Sequence, residues 1–470
     1  MEKPAKTKAD LVVRRRAAEE PRALSFGQER LWYLDQLSPG NAVYNTPLLL
    51  RLSGALDISA LHKALECVMQ RHEVLRTAFL SSAGRPVPVV PKKRALGFRE
   101  LDLREISGDA QHKELSRLIN EEAARPFNLA RDPMFRALLV RTGEHEYMLL
   151  SVIHHIVFEG GSVEILFSDL ADFYNAEIAG KPAALPELEI DYFDFVAWQR
   201  RALTDERLAI LNSYWNRQLR GAPLVDLPLD FPRPAVHTMR GAKYYFRFSP
   251  ELFASAERFF AESGTTSYRS LCAAFVVLLH CYTGLNDISV GTPCAPRCRG
   301  IENLIGFFVN TVVLRVQLEN DLSFRRLIRK VDVNLFSAIT HSDLPLHMVV
   351  DAVQPPRDPS RTPLFQVNFR APQTPYPRLE LDGVTAGAVE VLDNGTAKFD
   401  LALEIGEFVN GASYFEYCSD LFKKETIVQM AEDFQTILTD LITRPNAAFS
   451  GLPAVRAVGK RVEMQVAVSR

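Results

Sequence analysis

The sequence predicts an α/β protein made of two units of similar size, and three observations support this prediction. Patterns typical of helices and strands alternate in both halves of the 470 residues, as they do when helices pack on sheets. Residues 180–186, which are rich in glycine, proline and alanine, separate the two halves and are typical of a linker. Hydrophobic residues make up 47% and charged residues 24% of the chain, which is ordinary for globular proteins and excludes a disordered or fibrous one.

In the first half, apolar residues at helical spacing alternate with short apolar runs typical of strands. Ser25 can cap the first helix, and Ser162 is the predicted N-cap of the last one, because it follows the turn formed by Gly160 and Gly161. The predicted helices cover residues 24–37, 57–71, 112–124 and 162–179, and the predicted strands cover residues 46–52, 74–80, 134–141 and 146–152.

The second half shows the same alternation after one long helical stretch, residues 191–219, and a proline-rich segment, residues 223–234. The helices predicted after these are residues 250–263, 267–282, 323–340 and 424–443, and the strands are 242–248, 288–290, 309–316 and 365–369. The expected organisation is a flexible N-terminal tail (1–22), a first lobe (23–182), a second lobe (188–456) and a C-terminal tail (457–470).

Composition excludes several classes of partner and location. With 55 basic and 57 acidic residues the formal net charge is -2, which offers no general field for binding nucleic acid or anionic lipid. The polar N-terminus lacks a secretory signal, and the longest apolar stretch, residues 271–281, is too short to cross a bilayer. The six cysteines form no CxxC pair and show no zinc spacing, which is typical of structural thiols. We therefore expect a cytoplasmic protein without a metal, nucleic-acid or membrane partner.

The most informative chemical pattern is the pair His154 and His155, which ends a predicted strand and is followed by Glu159 and two glycines. Successive side chains on a strand point to opposite faces, so only one of the two histidines can face a cavity. Histidine carries protons near neutral pH, which makes the residue that faces the cavity a candidate general base.

These residues have three other interpretations. Both histidines could be core residues, and the pattern alone leaves this open. His155 and Glu159 could share a helix face and bind a metal, but the glycines disfavour a helix and no third ligand is evident. A serine hydrolase is disfavoured because the chain has no G-x-S-x-G motif.

Seven segments, taken in order between residues 24 and 452, resemble the core motifs of the condensation domains of nonribosomal peptide synthetases. The third resembles the HHxxxDG motif of that family, with Glu159 at the position where aspartate is usual. The seven are SFGQERLW (25–32), RHEVLRTAF (71–79), HHIVFEG (154–160), YFDFVAWQR (192–200), IGFFVNT (305–311), HSDLP (341–345) and RDPSRTPL (357–364).

This resemblance implies a fold of two chloramphenicol-acetyltransferase-like lobes that form a V-shaped pseudo-dimer with a central tunnel. It implies that donor and acceptor carrier proteins bring substrates on 4′-phosphopantetheine, that the protein has no intrinsic cofactor, and that it is a monomer.

The resemblance also implies roles for individual residues. His155 would be catalytic, and the backbone N–H of Gly160 would lie near the thioester carbonyl. His154 would be structural, and Glu159 would form an ion pair with Arg297. The residues implied to line the substrate channel are Ser25, Arg76, Trp198 and Asn310.

The expected activity is transfer of an acyl or peptidyl group from a carrier thioester to an amine, forming an amide during nonribosomal peptide or hybrid polyketide biosynthesis. Two alternatives stay open: an ester-forming or chain-releasing reaction with an alcohol or soluble acceptor, and a non-catalytic carrier-docking module, which Glu159 favours. The lack of a DFGWG-like segment disfavours a CoA-dependent plant-type acyltransferase. The absence of adenylation and carrier segments suits a free-standing enzyme, although an excised domain would look the same.

Overall fold

A computed structural model describes residues 12–296, 298–319, 321–371, 377–406 and 412–469, with side chains up to residue 467 in the last range. The helices are α1 (Phe26–Leu37), α2 (Ile58–Arg71), α3 (Gly108–Ala124), α4 (Ser162–Ile178), α5 (Tyr192–Ala202), α6 (Asp205–Leu219), α7 (Pro250–Ser263), α8 (Ser267–Thr283), α9 (Phe324–Thr340), α10 (Leu346–Val353), α11 (Lys424–Thr443) and α12 (Pro453–Ser469). Short 3₁₀ turns cover Glu73–Arg76, His155–Val157 and Phe449–Gly451.

The strands alternate with these helices along the chain. They are β1 (Asn45–Gly54), β2 (Ala78–Ser82), β3 (Arg85–Val89), β4 (Gly97–Asp102), β5 (Phe135–Arg141), β6 (Glu146–His154), β7 (Gly241–Phe246), β8 (Asp287–Cys294), β9 (Asn310–Gln317), β10 (Val367–Arg370), β11 (Glu380–Leu381), β12 (Val384–Ala386), β13 (Glu390–Val391), β14 (Leu401–Glu404) and β15 (Ser413–Cys418).

Contacts within the described residues divide the chain into two compact units. The first unit comprises Met1–Thr204, Ala295–Val309 and Tyr376–Asn394, and the second comprises Asp205–Cys294, Asn310–Pro375 and Gly395–Arg470. This division differs from the two continuous lobes expected from the sequence, because two short segments of the second half join the first unit. The first segment is held by a backbone hydrogen bond between Val13 and Arg299 and by side-chain bonds, and the second by the pairing of β12 and β13 with β1. The sequence carries no local pattern for such long-range contacts.

The first unit contains a sheet with the strand order β11-β12-β1-β6-β5-β4, and β13 also pairs with β1. Strand β6 lies between β1 and β5 and is antiparallel to both. In this register Asn45 of β1 lies opposite His154, the last residue of β6. The run from Leu149 to His154 is buried throughout, which is typical of a strand that is covered on both faces.

The second unit contains a separate sheet with the order β7-β15-β14-β10-β8-β9. Its core is centred on α8, whose residues from Ser270 to Leu279 are all buried. Helix α8 packs against α9, α11 and α12. No helix in the described ranges combines the length and the apolar character that crossing a bilayer requires.

Several helices begin and end as their capping residues predict. Ser25 and Gln28 form a capping box at the start of α1, in which each side chain bonds to the other residue's backbone N–H. Asp191 and Asp194 form an equivalent box at α5. Helix α4 differs from the prediction, because its N-cap is Gly161 and Ser162 is the first helical residue.

Two predicted elements are wrong in detail. The predicted strand 74–80 is a 3₁₀ turn, Glu73–Arg76, followed by β2. The predicted single helix 191–219 is two helices, and the break after Ala202 comes just before two acidic residues that begin α6. Carboxylates stabilise the N-terminal end of a helix, so Asp205 and Glu206 favour a new start at this point.

The two predicted tails contact their units where the structure describes them. Within residues 12–22, Val13 is 4% exposed and the Arg16 guanidinium pairs with Asp194 at 2.8 Å, whereas most of the other side chains are exposed. At the other end, α12 packs Val458 and Val462 into the second unit, because apolar residues recur at helical spacing.

Candidate active site

The histidine pair lies where β6 ends. His154 is the last residue of the strand and is 4% exposed, whereas His155 begins the 3₁₀ turn and is only partly buried. The His154 Nδ1 accepts a hydrogen bond from the Ile156 N–H at 3.1 Å, and its ring meets Phe127 edge-on. The structure therefore places the two side chains in different environments, as the alternation of side chains on a strand predicts, with His154 in the core.

The His155 imidazole is held by backbone and ring contacts. Its Nδ1 lies 2.5 Å from the Phe158 carbonyl oxygen, and its backbone N–H donates to the Tyr44 carbonyl at 2.7 Å. A carbonyl oxygen can only accept a hydrogen bond, so Nδ1 carries the proton. In the neutral form of the imidazole the lone pair is then on Nε2, and this form can act as a general base.

The Phe307 ring packs against this imidazole, with ring centroids 4.8 Å apart. Phe307 belongs to the segment 306–309, which lies in the first unit although it is about 150 residues from His155 in sequence. Three side chains from earlier in the chain hold this segment, and we call it the 306–309 brace.

Glu159 is the first of the side chains that hold the brace. Its Oε2 accepts hydrogen bonds from the backbone N–H groups of Phe308 at 3.0 Å and Val309 at 2.7 Å. Burial raises the pKa of the Glu159 carboxyl to about 7, although the two N–H donors lower it. The carboxyl group therefore connects the histidine motif to the brace.

Ser162 and Tyr192 hold the other end of the brace. Ser162 Oγ lies 3.2 Å from both the backbone nitrogen and the carbonyl oxygen of Gly306. The buried Tyr192 hydroxyl donates to the Phe307 carbonyl at 2.7 Å and lies 3.0 Å from Ser25 Oγ. Burial raises the pKa of this phenol, so it stays protonated as a donor.

Two further buried side chains support the same region. Gln28, which is 0% exposed, donates from Nε2 to the Ile156 carbonyl at 3.0 Å. His72 Nε2 lies 2.7 Å from an oxygen of Asp169, and its Nδ1 accepts from the Ile305 N–H at 3.5 Å. Burial lowers the pKa of His72, which favours its neutral form.

Sequence reasoning missed these roles of Gln28, His72, Ser162, Tyr192 and Phe307. All of these residues except Ser162 lie in the motif segments, and this position in a motif could have identified them as candidates.

Two predicted channel residues have contacts that favour a structural role. Ser25 is 1% exposed, and its Oγ caps α1 by accepting from the Gln28 N–H at 3.1 Å. The Arg76 guanidinium donates to the carbonyl oxygens of Met69, Gln70 and Pro91 and to the Glu73 carboxylate. The bonds to Met69 and Gln70 satisfy carbonyl groups at the end of α2.

The remaining channel predictions fall in different places. The Trp198 ring stacks on Phe195 with centroids 6.0 Å apart, and Phe195 meets the Phe308 ring edge-on at 4.8 Å. Asn310 belongs to the second unit. There its Nδ2 donates to the carbonyls of Ser342 and Leu344, at 2.8 and 2.7 Å, and so joins the start of β9 to the sixth motif segment.

The last two predicted site residues are Gly160 and Arg297. Gly160 is exposed in the turn before α4, and its carbonyl accepts from the Val163 N–H at 3.2 Å. Arg297 lies outside the described residues, so the predicted ion pair with Glu159 stays a prediction. Among the described residues, no three His, Cys, Asp or Glu side chains are grouped to hold a metal ion.

The tight packing at the brace makes a testable prediction at Gly306. A Cβ at this position would lie 2.3 Å from the Tyr192 ring, whereas a Cβ at Gly161 would have its nearest neighbour, Glu159 Oε1, at 3.9 Å. We expect Gly306→Ala to lower the free energy of unfolding by about 1–3 kcal/mol, as overpacked core substitutions do. Urea unfolding measures this, with Gly161→Ala as the control of small effect. Equal unfolding midpoints for the two variants would contradict the packing described.

Comparison with protein families finds that the family model described as "Condensation domain" matches residues 18–461. A linear gramicidin synthase protein from Brevibacillus parabrevis is 40% identical over 439 residues, which cover 93% of this chain and 9% of that protein. Phosphinothricin tripeptide synthetase PhsC of Streptomyces viridochromogenes is 37% identical over 456 residues, which cover 94% of this chain and 41% of that protein. This chain thus spans less than half the length of either relative.

Solved structures confirm the predicted fold class. The X-domain from teicoplanin biosynthesis matches with a TM-score of 0.84 and 25% identity, over 94% of this chain and 99% of that one. The first condensation domain of the calcium-dependent antibiotic synthetase, in complex with a substrate analogue, matches with a TM-score of 0.78 and 20% identity, over 93% and 99%. The second likeness shows the fold alone.

Proposed function

Because this chain belongs to the condensation-domain family, we propose that it transfers an acyl or peptidyl group from a carrier-protein thioester to an amine. In the reaction the amine nitrogen attacks the thioester carbonyl carbon, a C–N bond forms and the C–S bond breaks. The products are an amide and the free thiol of the carrier's phosphopantetheine. Condensation domains of nonribosomal peptide synthetases are acyltransferases of this type, and this chain would serve peptide antibiotic or related secondary-metabolite biosynthesis.

The observation that carries this proposal is the contact between His155 Nδ1 and the Phe158 carbonyl. The His155 Nδ1–H donates to the Phe158 carbonyl, so that Nε2 can take the proton from the attacking amine. The thiolate that leaves then receives a proton, which restores the neutral imidazole. Gly160 is proposed to offer its backbone N–H to the thioester oxygen as negative charge develops there.

A small set of catalytic groups is sufficient for this chemistry. A thioester is already activated, so the protein mainly aligns two reactants and excludes water. An α-amine has a pKa of about 7.7–8.0, so a usable neutral fraction is present at pH 7. The protein therefore needs one base at a fixed orientation, and we propose that the contacts around His155 provide it.

The substrates and partners follow from the same proposal. The donor and acceptor would arrive on the 4′-phosphopantetheine arms of carrier proteins. A soluble small molecule is the alternative acceptor, which should be tested in parallel with the carrier-bound one. We propose that four residues shape the substrate path indirectly, by holding in place the elements to which they are bonded or against which they pack. These residues are Ser25, Arg76, Trp198 and Asn310.

A second candidate function, a docking module without catalysis, is favoured by two observations. Glu159 stands where the family motif has aspartate. In addition, the fold is similar to the teicoplanin X-domain, which has also been solved in complex with OxyB. Against this candidate, both histidines of the motif are present.

The experiment that separates these functions offers an acyl-loaded carrier protein to the protein together with panels of amines, alcohols and amine-loaded carriers. Intact-mass measurement of carrier and acceptor detects each product. The proposal predicts amide formation, while ester formation alone would support the reaction with alcohols. Binding of the carrier without transfer to any acceptor would support the docking module and overturn the proposal.

A further inference from the structure

We propose that Phe307 is a positioning residue for His155, and that the Tyr192 hydroxyl keeps Phe307 in place. This inference rests on the proposed function, because it concerns the residue assigned as the base. It goes further by assigning a role in catalysis to two buried residues that do not themselves touch the reacting atoms.

Several contacts together fix the imidazole of His155. The Nδ1 bond to the Phe158 carbonyl fixes one ring atom, but a single hydrogen bond leaves rotation about it possible. The Phe307 ring lies 4.8 Å from the imidazole at an interplanar angle of 55°, and the Tyr44 ring lies 6.5 Å away at 25°. Ring contacts of this kind have preferred geometries and restrict that rotation.

The Phe307 ring cannot easily move away from His155. The ring also meets Gly27 of α1, where an added Cβ would lie 2.7 Å from ring atom Cε1. Gly27 therefore leaves space for the ring that an alanine would remove. Phe307 is 8% exposed, so its ring is enclosed by protein.

The backbone of Phe307 is held as firmly as its ring. Its carbonyl accepts the Tyr192 hydroxyl proton at 2.7 Å, and the Tyr192 ring lies against Gly306, which precedes it. Tyr192 thus holds the Phe307 backbone with its hydroxyl group and packs closely against Gly306 with its ring. Loss of the hydroxyl leaves a buried carbonyl without this donor and allows the ring to shift relative to the imidazole.

The neighbouring Phe308 provides a matched control. It is 7% exposed, nearly the same as Phe307, but its ring contacts Tyr192 and Phe195. Phe307→Leu and Phe308→Leu remove similar apolar groups from the same segment, and only the first removes the described contact with the His155 ring. For Tyr192→Phe the control is Tyr174→Phe, because the Tyr174 hydroxyl also bonds a backbone group: it accepts from the Asp57 N–H at 3.1 Å.

The test measures the state of the imidazole directly, by NMR of the full chain labelled with ¹³C and ¹⁵N in its histidines. The His155 signals are assigned by their loss in His155→Gln. We expect wild type to show the neutral ring protonated at Nδ1. In Phe307→Leu and Tyr192→Phe, we expect the protonation to spread over both ring nitrogens. Tyr174→Phe should keep the wild-type pattern, and Phe308→Leu, whose ring contacts Tyr192, should change it less than Phe307→Leu does.

Single-turnover acyl transfer then supplies the second readout. Phe307→Leu and Tyr192→Phe should lower the rate constant at saturating donor about tenfold, since small errors in alignment are costly, while the donor concentration at half-maximal rate stays unchanged. Unaltered His155 signals in Phe307→Leu, or equal changes in Phe308→Leu, would overturn the inference. The NMR measurement does not require acyl transfer. It therefore tests this inference even if the proposed function is wrong.

Discussion

Substitution of His155 by alanine is expected to lower acyl transfer to an amine by about 10²–10⁴-fold, the contribution of a positioned general base. The reason is that the proton of the attacking nitrogen loses its acceptor, Nε2, whose lone pair follows from the Nδ1–H bond to Phe158. The loss should be larger with an alcohol acceptor than with an amine, because an alcohol is a weak nucleophile while it keeps its proton. Single-turnover assays with both acceptors measure this difference.

The control for this substitution is His145→Ala. His145 is exposed and lies in the same unit, between β5 and β6. It should leave transfer unchanged. If His155→Ala lowered the rate of transfer by no more than a few-fold with both acceptors, His155 would not be the base.

Substitution of Glu159 is expected to have the second largest effect. Glu159→Ala removes the acceptor for the Phe308 and Val309 N–H groups and should lower the free energy of unfolding by about 1–3 kcal/mol. Transfer should fall by up to about 10²-fold, because the brace that contacts His155 moves. Glu159→Asp retains the carboxyl group but shortens the side chain, and should lie between wild type and alanine. Equal activity in all three proteins would show that the carboxylate does not support the site.

The pH dependence of stability tests the same carboxyl group in another way. Burial raises its pKa to about 7 in the folded protein, above the value of about 4.3 for an unperturbed glutamate. Between these values the folded state binds more protons than the unfolded state, so stability falls as pH rises. Relative to Glu159→Gln, which does not titrate, wild type should lose stability from pH 5 to pH 7 and change little above pH 8. Urea midpoints at each pH measure this, and a relative gain of stability with pH would contradict the assignment.

Much of the local structure follows from the sequence. Helices α7 and α11 begin and end where the patterns predict, because Ser249 and Gly264 cap α7 and apolar residues repeat at helical spacing in both helices. The alternation of side chains predicts one core histidine and one accessible histidine. The family motifs then identify His155 as the accessible one, and the structure places it in the partly buried position.

The part that the sequence does not predict depends on contacts between distant residues. Glu159 and Val309 are 150 residues apart, and Ser162 and Gly306 are 144 apart. No pattern within either segment indicates that the carboxylate accepts backbone N–H groups of the other. In the same way, the motif resemblance marks Arg76 as significant, but only its bonds to Met69 and Gln70 show that it caps α2.

The most direct test of the central claim, that this chain transfers a carrier-bound acyl group with His155 as base, is one single-turnover measurement. A donor carrier loaded with an acyl thioester and an acceptor carrier loaded with an amine are mixed with equimolar protein, and the intact masses of both carriers are followed. The proposed mechanism predicts that the acyl mass leaves the donor and appears on the acceptor at the same rate with wild type, and far more slowly with His155→Ala. Loss from the donor by hydrolysis alone, or equal transfer by both proteins, would contradict it.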